Sequence, residues 1–434
     1  MIKKALVGML FIGGTILLLV GMVGIVCAGD WPMFHHDLRH SGVTDEEVPD
    51  DLELLWCRET RGLASPPAIA DGKVFVNVNA GIPYCLDEKT GEILWNWSYQ
   101  EERQVLGPPT VADKKVFVYS FMDSKCCITS LNGKTGEIIW SYGYDFEELT
   151  GPDIEELLAV VYSPVIADGK VFAGGFDGKI YCLNENTGEL IWSYQAEDLV
   201  FFPPTIAHDK VFVADSFGEE IYCLDKNTGE LIWSYQAPYY PSTLTVVDGE
   251  VFFVSDKLYC LEENTGKEIR NYNISSPFTL GVAAENGKLF VGSNYKIYCL
   301  DKNTGEIIWN YETIGGMVSP PVVAGDKVLV FGGPILYCLD KDNGDLISKI
   351  PVGGKRAYPV VANERVFIGG MGGVCCFGSK RISTKEEDTP LPEVETPEEK
   401  TGVPTGEKET LGFEAIFAIA GLVAIAYILR RCRK

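Results

Sequence analysis

The sequence predicts an all-β fold: a single eight-bladed β-propeller made of four-stranded antiparallel blades. A twelve-residue segment of the type YCLDKNTGELIW recurs seven times, and most copies lie 37 to 41 residues apart. Each repeat contains four strand-like stretches separated by turn residues. The 46 glycines and 20 tyrosines, with almost no helical periodicity between them, also favour short strands and turns. Repeats of this length and content are typical of propeller blades.

Two phrases define every repeat. The first contains the glycine turn, and its seven copies are YCLDEKTGEILW (84–95), TSLNGKTGEIIW (129–140), YCLNENTGELIW (181–192), YCLDKNTGELIW (222–233), YCLEENTGKEIR (259–270), YCLDKNTGEIIW (298–309) and YCLDKDNGDLIS (337–348). The second precedes it, as in SPPAIADGKVFV from Ser65, SPVIADGKVFA from Ser163, PPTIAHDKVFV from Pro203 and SPPVVAGDKVLV from Ser319. Together they predict strands A (PAIA), B (KVFV), C (IYCL) and D (ELIWSY).

Side-chain alternation in strand C indicates how the blades pack. In IYCL, Tyr and Leu fall on one face of the strand and Ile and Cys on the other. Both faces are therefore apolar, and a lone hairpin could not bury them. Neighbouring blades must cover them.

The number of strands closes the ring. Seven complete units span residues 64–350, and an eighth, AYPVVANERVFIGGMGGVCCFG, supplies strands A, B and C only. The missing D strand is LELLWCRE, with Trp56, which lies before the first unit. An N-terminal strand that completes the last blade would remove both free sheet edges. We therefore predict a propeller over residues 52–378, preceded by a cap segment at 29–51.

The two ends of the chain predict export and membrane attachment. Residues 1–28 have two lysines, a long apolar run and small residues before Gly29, as in a signal peptide, although an uncleaved anchor is the alternative. Residues 379–410 are acidic and rich in Pro, Thr and Glu, which predicts a disordered stalk. Residues 411–434 are apolar and then basic, as in a transmembrane segment. We expect the propeller outside the cell, held at its surface.

Both the repeats and the tail resemble known families. Over residues 31–378, including the opening DWPMFHHDLRHSG, the chain resembles the PQQ-type propeller repeat family, whose units read much like SPAVADGKVYVGS…YALDAKTGELLW. That family contains both quinoprotein dehydrogenases and cofactor-free scaffolds, so the resemblance implies the fold and not an activity. From Gly412 the tail resembles the archaeal PGF-type sorting signal, with Leu411 in place of its Pro. This resemblance implies either replacement of the tail by a lipid anchor or retention as a membrane helix.

The identical residues of the repeat predict structure and not chemistry. Asp225, Asn227 and Gly229 have the spacing of a calcium loop, but Gln236 stands where an EF-hand has its Glu. A hairpin turn with a left-handed Gly explains the same residues. Seven thiols occupy one strand C position, one per blade, and are predicted to be small buried residues: Cys85, Cys182, Cys223, Cys260, Cys299, Cys338 and Cys376.

The remaining candidates for chemistry are few. The adjacent pairs Cys126–Cys127 and Cys375–Cys376 resemble the vicinal cysteines of quinoproteins, but strand alternation separates their side chains. His35, His36 and His40 could hold a transition metal or serve as hydrogen-bonding groups of the cap. A PQQ site would need a calcium set and a Trp floor, whereas nearly all Trp residues end strand D at the outside. We therefore predict no catalytic residue, no metal and no cofactor.

The variable loops between strands D and A predict the candidate ligand site. These loops and the B–C loops share one face of a propeller, which we call the D–A face. The loops of three successive blades are basic, and a second sector of the ring is aromatic. The predicted ligand-binding residues are Arg61, Arg103, Gln104, Phe201, Phe202, Tyr239, Tyr240, Lys355 and Arg356. Solvated loops without a ligand are the alternative.

Sequence also predicts where glycans could attach. Asn96-Trp97-Ser98 and Asn273-Ile274-Ser275 are N-glycosylation sequons at the ends of outer strands D. The acceptors Asn96 and Asn273 are therefore modification candidates.

These observations favour a surface-anchored, non-catalytic propeller that binds or scaffolds other envelope proteins, or binds an anionic or peptide ligand. The alternative is a PQQ- and calcium-dependent quinoprotein oxidoreductase. A net charge of −24 argues against nucleic acid as a partner. We expect a monomer.

Overall fold

The computed structural model describes residues 30–380, apart from 79–80, 98–102, 123–124, 146–162, 201, 216–217, 275–280, 315–317 and 353–357. The predicted signal peptide, nearly all of the stalk and the C-terminal segment lie outside the described residues. Within the described part of the chain every regular element is a β-strand. No helix in that part is long and apolar enough to cross a membrane.

Eight sheets confirm the eight-bladed propeller. Two strands precede the repeats: β1 (Val43–Thr44) and β2 (Glu53–Leu63). Blade 1 comprises β3 (Ala68–Ala70), β4 (Lys73–Val78), β5 (Ile82–Asp87) and β6 (Ile93–Asn96), and blade 2 comprises β7 (Arg103–Ala112), β8 (Lys115–Met122), β9 (Lys125–Asn132) and β10 (Ile138–Tyr144). Blade 3 comprises β11 (Val165–Ala167), β12 (Lys170–Gly174), β13 (Lys179–Asn184) and β14 (Leu190–Gln195), and blade 4 comprises β15 (Thr205–Ala207), β16 (Lys210–Ala214), β17 (Glu220–Asp225) and β18 (Leu231–Gln236).

The second half of the ring repeats this pattern. Blade 5 comprises β19 (Thr245–Val247), β20 (Glu250–Val254), β21 (Leu258–Glu262) and β22 (Glu268–Tyr272), and blade 6 comprises β23 (Val282–Glu285), β24 (Lys288–Gly292), β25 (Lys296–Asp301) and β26 (Ile307–Glu312). Blade 7 comprises β27 (Val322–Ala324), β28 (Lys327–Gly332), β29 (Ile335–Asp340) and β30 (Leu346–Pro351), and β31 (Tyr358–Ala362) and β32 (Arg365–Gly378) belong to blade 8. Each blade from 1 to 7 is an antiparallel A-B-C-D sheet, and β1 adds a parallel strand to blade 7.

The predicted closure of the ring is confirmed. Blade 8 is the sheet β2-β32-β31, in which the long strand β32 supplies both B and C. Strand β2 pairs with it antiparallel, with Trp56 opposite Cys376 and Arg58 opposite Val374. The N-terminal strand is therefore strand D of the last blade.

The repeated turn is an Asp-stabilised hairpin turn. In blade 4, Asp225 Oδ1 accepts the backbone N–H groups of Asn227 and Thr228, both at 2.9 Å, and Gly229 has φ = 72°. Because hydrogen bonds from the turn favour the ionised carboxylate, the pKa of Asp225 is lowered. The turn interpretation is confirmed.

The strand D tryptophans lie on the outermost strand of each blade, as predicted, but most of them are buried between neighbouring blades. Trp192 is 8% exposed and packs on Gly229 of the next blade, where an added Cβ would lie 2.6 Å from the indole. Its Nε1–H donates to the Lys226 carbonyl at 3.2 Å. The same contact recurs between other neighbours, with Trp56 on Gly91, Trp95 on Gly136, Trp140 on Gly188, Trp233 on Gly266 and Trp309 on Gly344. The glycine of each C–D turn is therefore the residue on which the strand D tryptophan of the preceding blade packs.

The thiol column is buried as predicted, but one disulfide was missed. All seven strand C cysteines of the column are buried and free, and burial raises the pKa of the Cys223 thiol to about 12. Cys375 is different, because it pairs with Cys57 across β2 and β32 with a Cα–Cα distance of 4.1 Å. Our distance argument considered cysteines on different blades and left Cys57 out. The bond joins strands C and D of the one blade that has no turn between them.

The segment before β2 fills the centre of the ring, and we call residues 31–48 the plug. Its backbone meets the innermost strands in blade order. Trp31 and Ile69 of blade 1 exchange backbone hydrogen bonds. Backbone carbonyls of the plug also accept N–H groups from five further blades: Pro32 from Val111 of blade 2, Leu38 from Ile206 of blade 4, Arg39 from Val246 of blade 5, Ser41 from Ala284 of blade 6, and Gly42 from Val323 of blade 7. Met33 packs in the apolar cluster shared by blades 3 and 4, and Glu46 accepts from Glu364 of blade 8.

Candidate functional site

A recess lies at the centre of the D–A face, where the plug closes the channel. Trp31, Met33, Phe34 and His35 of the plug line it. Its walls include Tyr358 and prolines that precede or lie within the innermost strands of blades 1, 2, 7 and 8: Pro66, Pro67, Pro108, Pro320 and Pro359. The recess is shallow and opens to solvent, and its enclosed space holds about one or two water molecules. Since proline has no N–H, these walls offer few hydrogen-bond donors.

The histidines of the plug are neutral hydrogen-bonding groups. His35 Nδ1 lies 2.9 Å from the His40 carbonyl, and a carbonyl can only accept, so Nδ1 carries the proton. His40 Nδ1 lies 3.0 Å from Thr205 Oγ1, whose own proton goes to the Leu244 carbonyl. Burial lowers the pKa of His35, and burial together with nearby His35 lowers the pKa of His40 to about 3. The hydrogen-bonding interpretation is confirmed for this pair.

Each of these rings keeps one nitrogen without a partner. His35 Nε2 and His40 Nε2 are buried and accept no hydrogen bond. Gly281 packs closely on the His35 ring, where an added Cβ would lie 2.9 Å from Cε1 and 3.0 Å from Nε2, so a side chain at this position would collide with the ring. Among the described residues no group of three or more His, Cys, Asp or Glu side chains is arranged to hold a metal ion.

The basic part of the predicted site lies largely outside what the structure describes. Lys355, Arg356 and Phe201 are not among the described residues. Arg61 lies within β2, and Arg103 and Gln104 lie at the start of β7, but only the backbone of these three is described. The basic sector therefore stays a prediction.

The aromatic part of the predicted site is described, and its members differ. Phe202 is half-buried and packs against two apolar clusters, one shared by blades 2 and 3 and the other by blades 4 and 5, so it is largely a core residue. Tyr239 and Tyr240 are 59% and 39% exposed on the loop between blades 4 and 5. Ser255 Oγ fixes this loop by accepting the Tyr239 N–H at 3.1 Å and donating to the Tyr239 carbonyl at 2.9 Å.

Two further exposed apolar residues on this face were missed by sequence reasoning. Tyr295, in the B–C loop of blade 6, is 52% exposed, and Ile314, after β26, is 68% exposed. The Thr313 N–H donates to the Tyr295 carbonyl at 2.7 Å, which joins the two loops. The aromatic in the short B–C loop was the available signal, because B–C and D–A loops share a face. We call Tyr239, Tyr240, Tyr295 and Ile314 the aromatic arc.

A buried carboxyl group in the B–C loop of blade 4 was also missed. Asp215, at the end of β16, is fully buried, accepts the Glu220 N–H at 2.9 Å and accepts from Tyr222 Oη at 3.3 Å. Burial, with Asp198 and Glu220 nearby, raises the pKa of Asp215 to about 7. Blade 3 has Gly175 at the equivalent position. The only signal in the sequence was therefore an acidic residue at a position where another repeat has glycine.

The described lining of the recess does not fit PQQ with calcium. It contains no carboxylate to ligate calcium and no basic side chain to meet an anionic quinone. Trp31, which lies before the repeats, is the one tryptophan among the described lining residues of the recess. The predicted sequon residues Asn96 and Asn273 are both exposed, in β6 and just after β22. Their glycosylation stays a prediction.

The closed ring of eight repeats, completed by its N-terminal strand, defines a PQQ-like propeller protein. The family model described as outer membrane protein assembly factor BamB matches residues 46–150, 153–280 and 255–347, well over half of the chain. The chain therefore belongs to the BamB family. The PGF-CTERM motif matches residues 410–431, which confirms the sorting signal and marks an exported protein anchored in the membrane at the cell surface.

Similar solved structures confirm the fold alone. BamB from Moraxella catarrhalis is 20% identical, with a TM-score of 0.60 over 77% of this chain and 99% of that one. The quinohemoprotein alcohol dehydrogenase from Comamonas testosteroni is 15% identical, with a TM-score of 0.66 over 85% of this chain and 83% of that one. The computationally designed Ika8 protein is 14% identical, with a TM-score of 0.62 over 75% of this chain and 99% of that one. No curated protein sequence matches the chain.

Proposed function

We propose that this protein is a non-catalytic, surface-anchored propeller that binds or scaffolds other cell-envelope proteins through its D–A face. Membership of the BamB family supports a scaffold role. The observation that carries the proposal is the aromatic arc. It exposes apolar side chains on loops fixed by hydrogen bonds, and interfaces are enriched in such aromatic residues.

The direction in which the chain leaves the propeller favours this face. Lys380, the last described residue, forms an ion pair with Glu53 at the start of β2, with Nζ and Oε2 3.0 Å apart. Strand D begins on the face of the C–D turns, so the chain leaves for its anchor from the face opposite the D–A loops. The aromatic arc then lies on the face opposite the point at which the described chain ends.

Site-specific photocrosslinking tests this proposal. A photoreactive phenylalanine analogue at Tyr239 or Tyr295 of the anchored protein should give discrete adducts with envelope proteins. The same analogue at Asn227, in an exposed C–D turn, is the control and should not. The same adducts from both faces, or none from either, would contradict the proposal.

Charge reversal tests the basic sector separately. Changing Arg61, Arg103 and Arg356 to Glu should abolish recovery of the crosslinked partner. The matched control changes Lys89, Lys134 and Lys267 to Glu, which alters the net charge equally on exposed C–D turns. If both triple variants keep the partner, the basic sector is not part of the interface.

A quinoprotein oxidoreductase is the second candidate function. The position of Trp31 at the channel mouth favours it, and the missing carboxylates in the described lining oppose it. PQQ and Ca²⁺ added to the purified protein decide between the two. A quinone absorbance retained through gel filtration, together with alcohol-dependent dye reduction, would replace our proposal with this one.

A further inference from the structure

We propose that the end of the aromatic arc formed by Tyr239 and Tyr240 binds a lysine or arginine side chain of a partner protein, which presents a basic segment to the D–A face. This partner chemistry rests on the proposed function, because it assigns a charge to the protein that the arc binds. The predicted basic sector, on the loops before blades 8, 1 and 2, suits anionic groups. The two sectors of the face therefore differ in the charge that they recognise.

Hydrogen bonds hold the loop that carries the two tyrosines in place on both sides. On the side of blade 4, the Ala237 N–H donates to the Glu219 carbonyl at 2.7 Å. On the side of blade 5, Ser255 Oγ bonds both the N–H and the carbonyl of Tyr239. The exposed rings of Tyr239 and Tyr240 are thus presented by an ordered loop, which reduces the entropy that a ligand loses on binding.

The loop on the blade 4 side also brings a carboxylate to Tyr240. Burial and the nearby carboxylates of Glu219 and Asp198 raise the pKa of Tyr240, so its phenol is neutral at pH 7. Glu219 is half-buried, and within the described part of the chain its side chain forms no ion pair. Burial raises the pKa of Glu219 as well. A partly desolvated carboxylate of this kind is stabilised by a nearby cation.

The loops around this site are acidic as a set. The B–C loops of blades 3 to 5 and the two D–A loops that join these blades contain six acidic residues and one basic residue: Asp177, Glu197, Asp198, Asp215, Glu219, Asp256 and Lys257. Lys179 and Glu220, which begin the strands after two of these loops, add one charge of each sign. The field at this sector is therefore negative even when Asp215 is protonated, and it attracts cations.

A cationic side chain is the ligand that matches both features of the site. A guanidinium or ammonium group over the face of a tyrosine gains cation–π attraction, and a neighbouring carboxylate adds to that attraction. An anionic group would be repelled. A second copy of this chain has a net charge of −24 and would bring the same acidic loops. Charge complementarity therefore favours a partner with a basic segment over self-association.

Two capped peptides test the charge requirement on the full-length protein in detergent. Gly-Arg-Gly-Arg-Gly carries positive charges, and the same peptide with citrulline in place of arginine has the same shape without them. The ¹⁹F resonance of 3-fluorotyrosine introduced at Tyr239 should shift with the arginine peptide and not with the citrulline peptide. Added salt should weaken the binding of the arginine peptide. Equal affinities for the two peptides would overturn the proposal.

Variants locate the cation. Glu219→Gln removes the carboxylate and keeps its shape, and Tyr240→Leu keeps an apolar side chain without a ring. Each should lower the affinity for the arginine peptide by about twofold to fivefold, as expected for one exposed charge pair or cation–π contact. Glu230→Gln is the matched control, because this exposed residue in the C–D turn of the same blade changes the net charge equally. A preference for arginine that survives in both test variants would contradict the assignment.

Further measurements distinguish a partner protein from other sources of the cation. The adduct formed from a photoreactive analogue at Tyr239 of the anchored chain should map to a Lys- or Arg-containing segment of the partner. Spermidine that binds here more tightly than the arginine peptide, or a dimer that Tyr240→Leu dissociates, would overturn the proposal. If adducts form but the peptides bind equally, this inference fails and the proposed function stands. If the arginine peptide is preferred and no adduct forms, the proposed function fails instead.

Discussion

A single glycine in each C–D turn connects two blades, and this contact can be measured. Gly229 has φ = 72° and lies under the Trp192 indole, whereas Gly249 has φ = 76° with nothing within 4 Å of an added Cβ. Gly249→Ala should lower the free energy of unfolding by about 1–2 kcal/mol, the cost of a left-handed backbone. Gly229→Ala should cost about 1–3 kcal/mol more, because the methyl group collides with the indole.

Urea unfolding of the two alanine variants separates these contributions. Both substitutions add the same methyl group at nearly the same backbone conformation, so their difference reports the packing of Trp192. Equal losses in the two variants would show that the indole moves aside at little cost, and that the tryptophan contact does not hold the blades together.

The buried carboxyl of Asp215 predicts a stability that falls as pH rises. Its folded pKa of about 7 exceeds the ordinary value of 3.8, so the folded state retains a proton that the unfolded state loses between these values. The free energy of unfolding therefore decreases from pH 4 to pH 7, by on the order of 3 kcal/mol for this group alone. Asp215→Asn mimics the protonated form and should match the wild type at pH 4 and exceed it at pH 8.

Comparison of the two proteins at each pH isolates this group. Burial lowers the pKa of His35 and His40, so the histidines weaken the fold as pH falls below 6.5, the opposite direction. Those effects are common to both proteins and cancel in the difference. A stability difference independent of pH would mean that Asp215 remains ionised in the folded state.

At the scale of an element, strand β2 holds the ring closed, and its disulfide replaces the missing turn of blade 8. Cys57 and Cys375 are 318 residues apart in sequence, so the bond restricts the unfolded chain strongly. Cys57→Ser should lower the free energy of unfolding by about 2–5 kcal/mol. Dithiothreitol should destabilise the wild type to the same extent and leave the variant unchanged.

Hydrogen exchange locates the effect of this bond. Amides that pair β2 with β32 should exchange faster in Cys57→Ser, and those between β16 and β17 of blade 4 should not. If dithiothreitol lowers the stability of the variant as much as that of the wild type, a different sulfur–sulfur bond would be responsible.

The strands could be predicted from sequence because every repeat shows the same strand pattern. Seven complete repeats and an eighth that lacks strand D leave one place for β2. The disulfide could not, because Cys57 lies outside the repeats and its partner depends on the register of β2 against β32. The exposure of Tyr239 was predictable from loop variation. Asp215 and His35 were not, because their burial depends on neighbouring blades and on the path of the plug, which has no periodic pattern.

At the scale of the whole molecule, the plug connects blades that are otherwise joined only to their neighbours. Backbone N–H groups of the innermost strands on six blades donate to, or pair with, successive plug residues: Ile69, Val111, Ile206, Val246, Ala284 and Val323. Deletion of residues 30–44 removes all six acceptors and leaves β2 in place. Because the donors lie in blades 1, 2, 4, 5, 6 and 7, their amides should exchange faster together.

The predicted pattern is global and not local, which distinguishes a plug from a simple N-terminal arm. Amides between strands B and C of the same blades serve as internal controls, and deletion of residues 381–410 serves as the control for chain shortening. The plug deletion should also lower the midpoint of thermal unfolding, since it removes the buried side chains of Trp31, Met33 and Phe34. Faster exchange confined to blades 1 and 8, which flank the start and end of the plug, would show that the ring stands without its centre. In that event the segment would serve the recess above it and not the stability of the propeller.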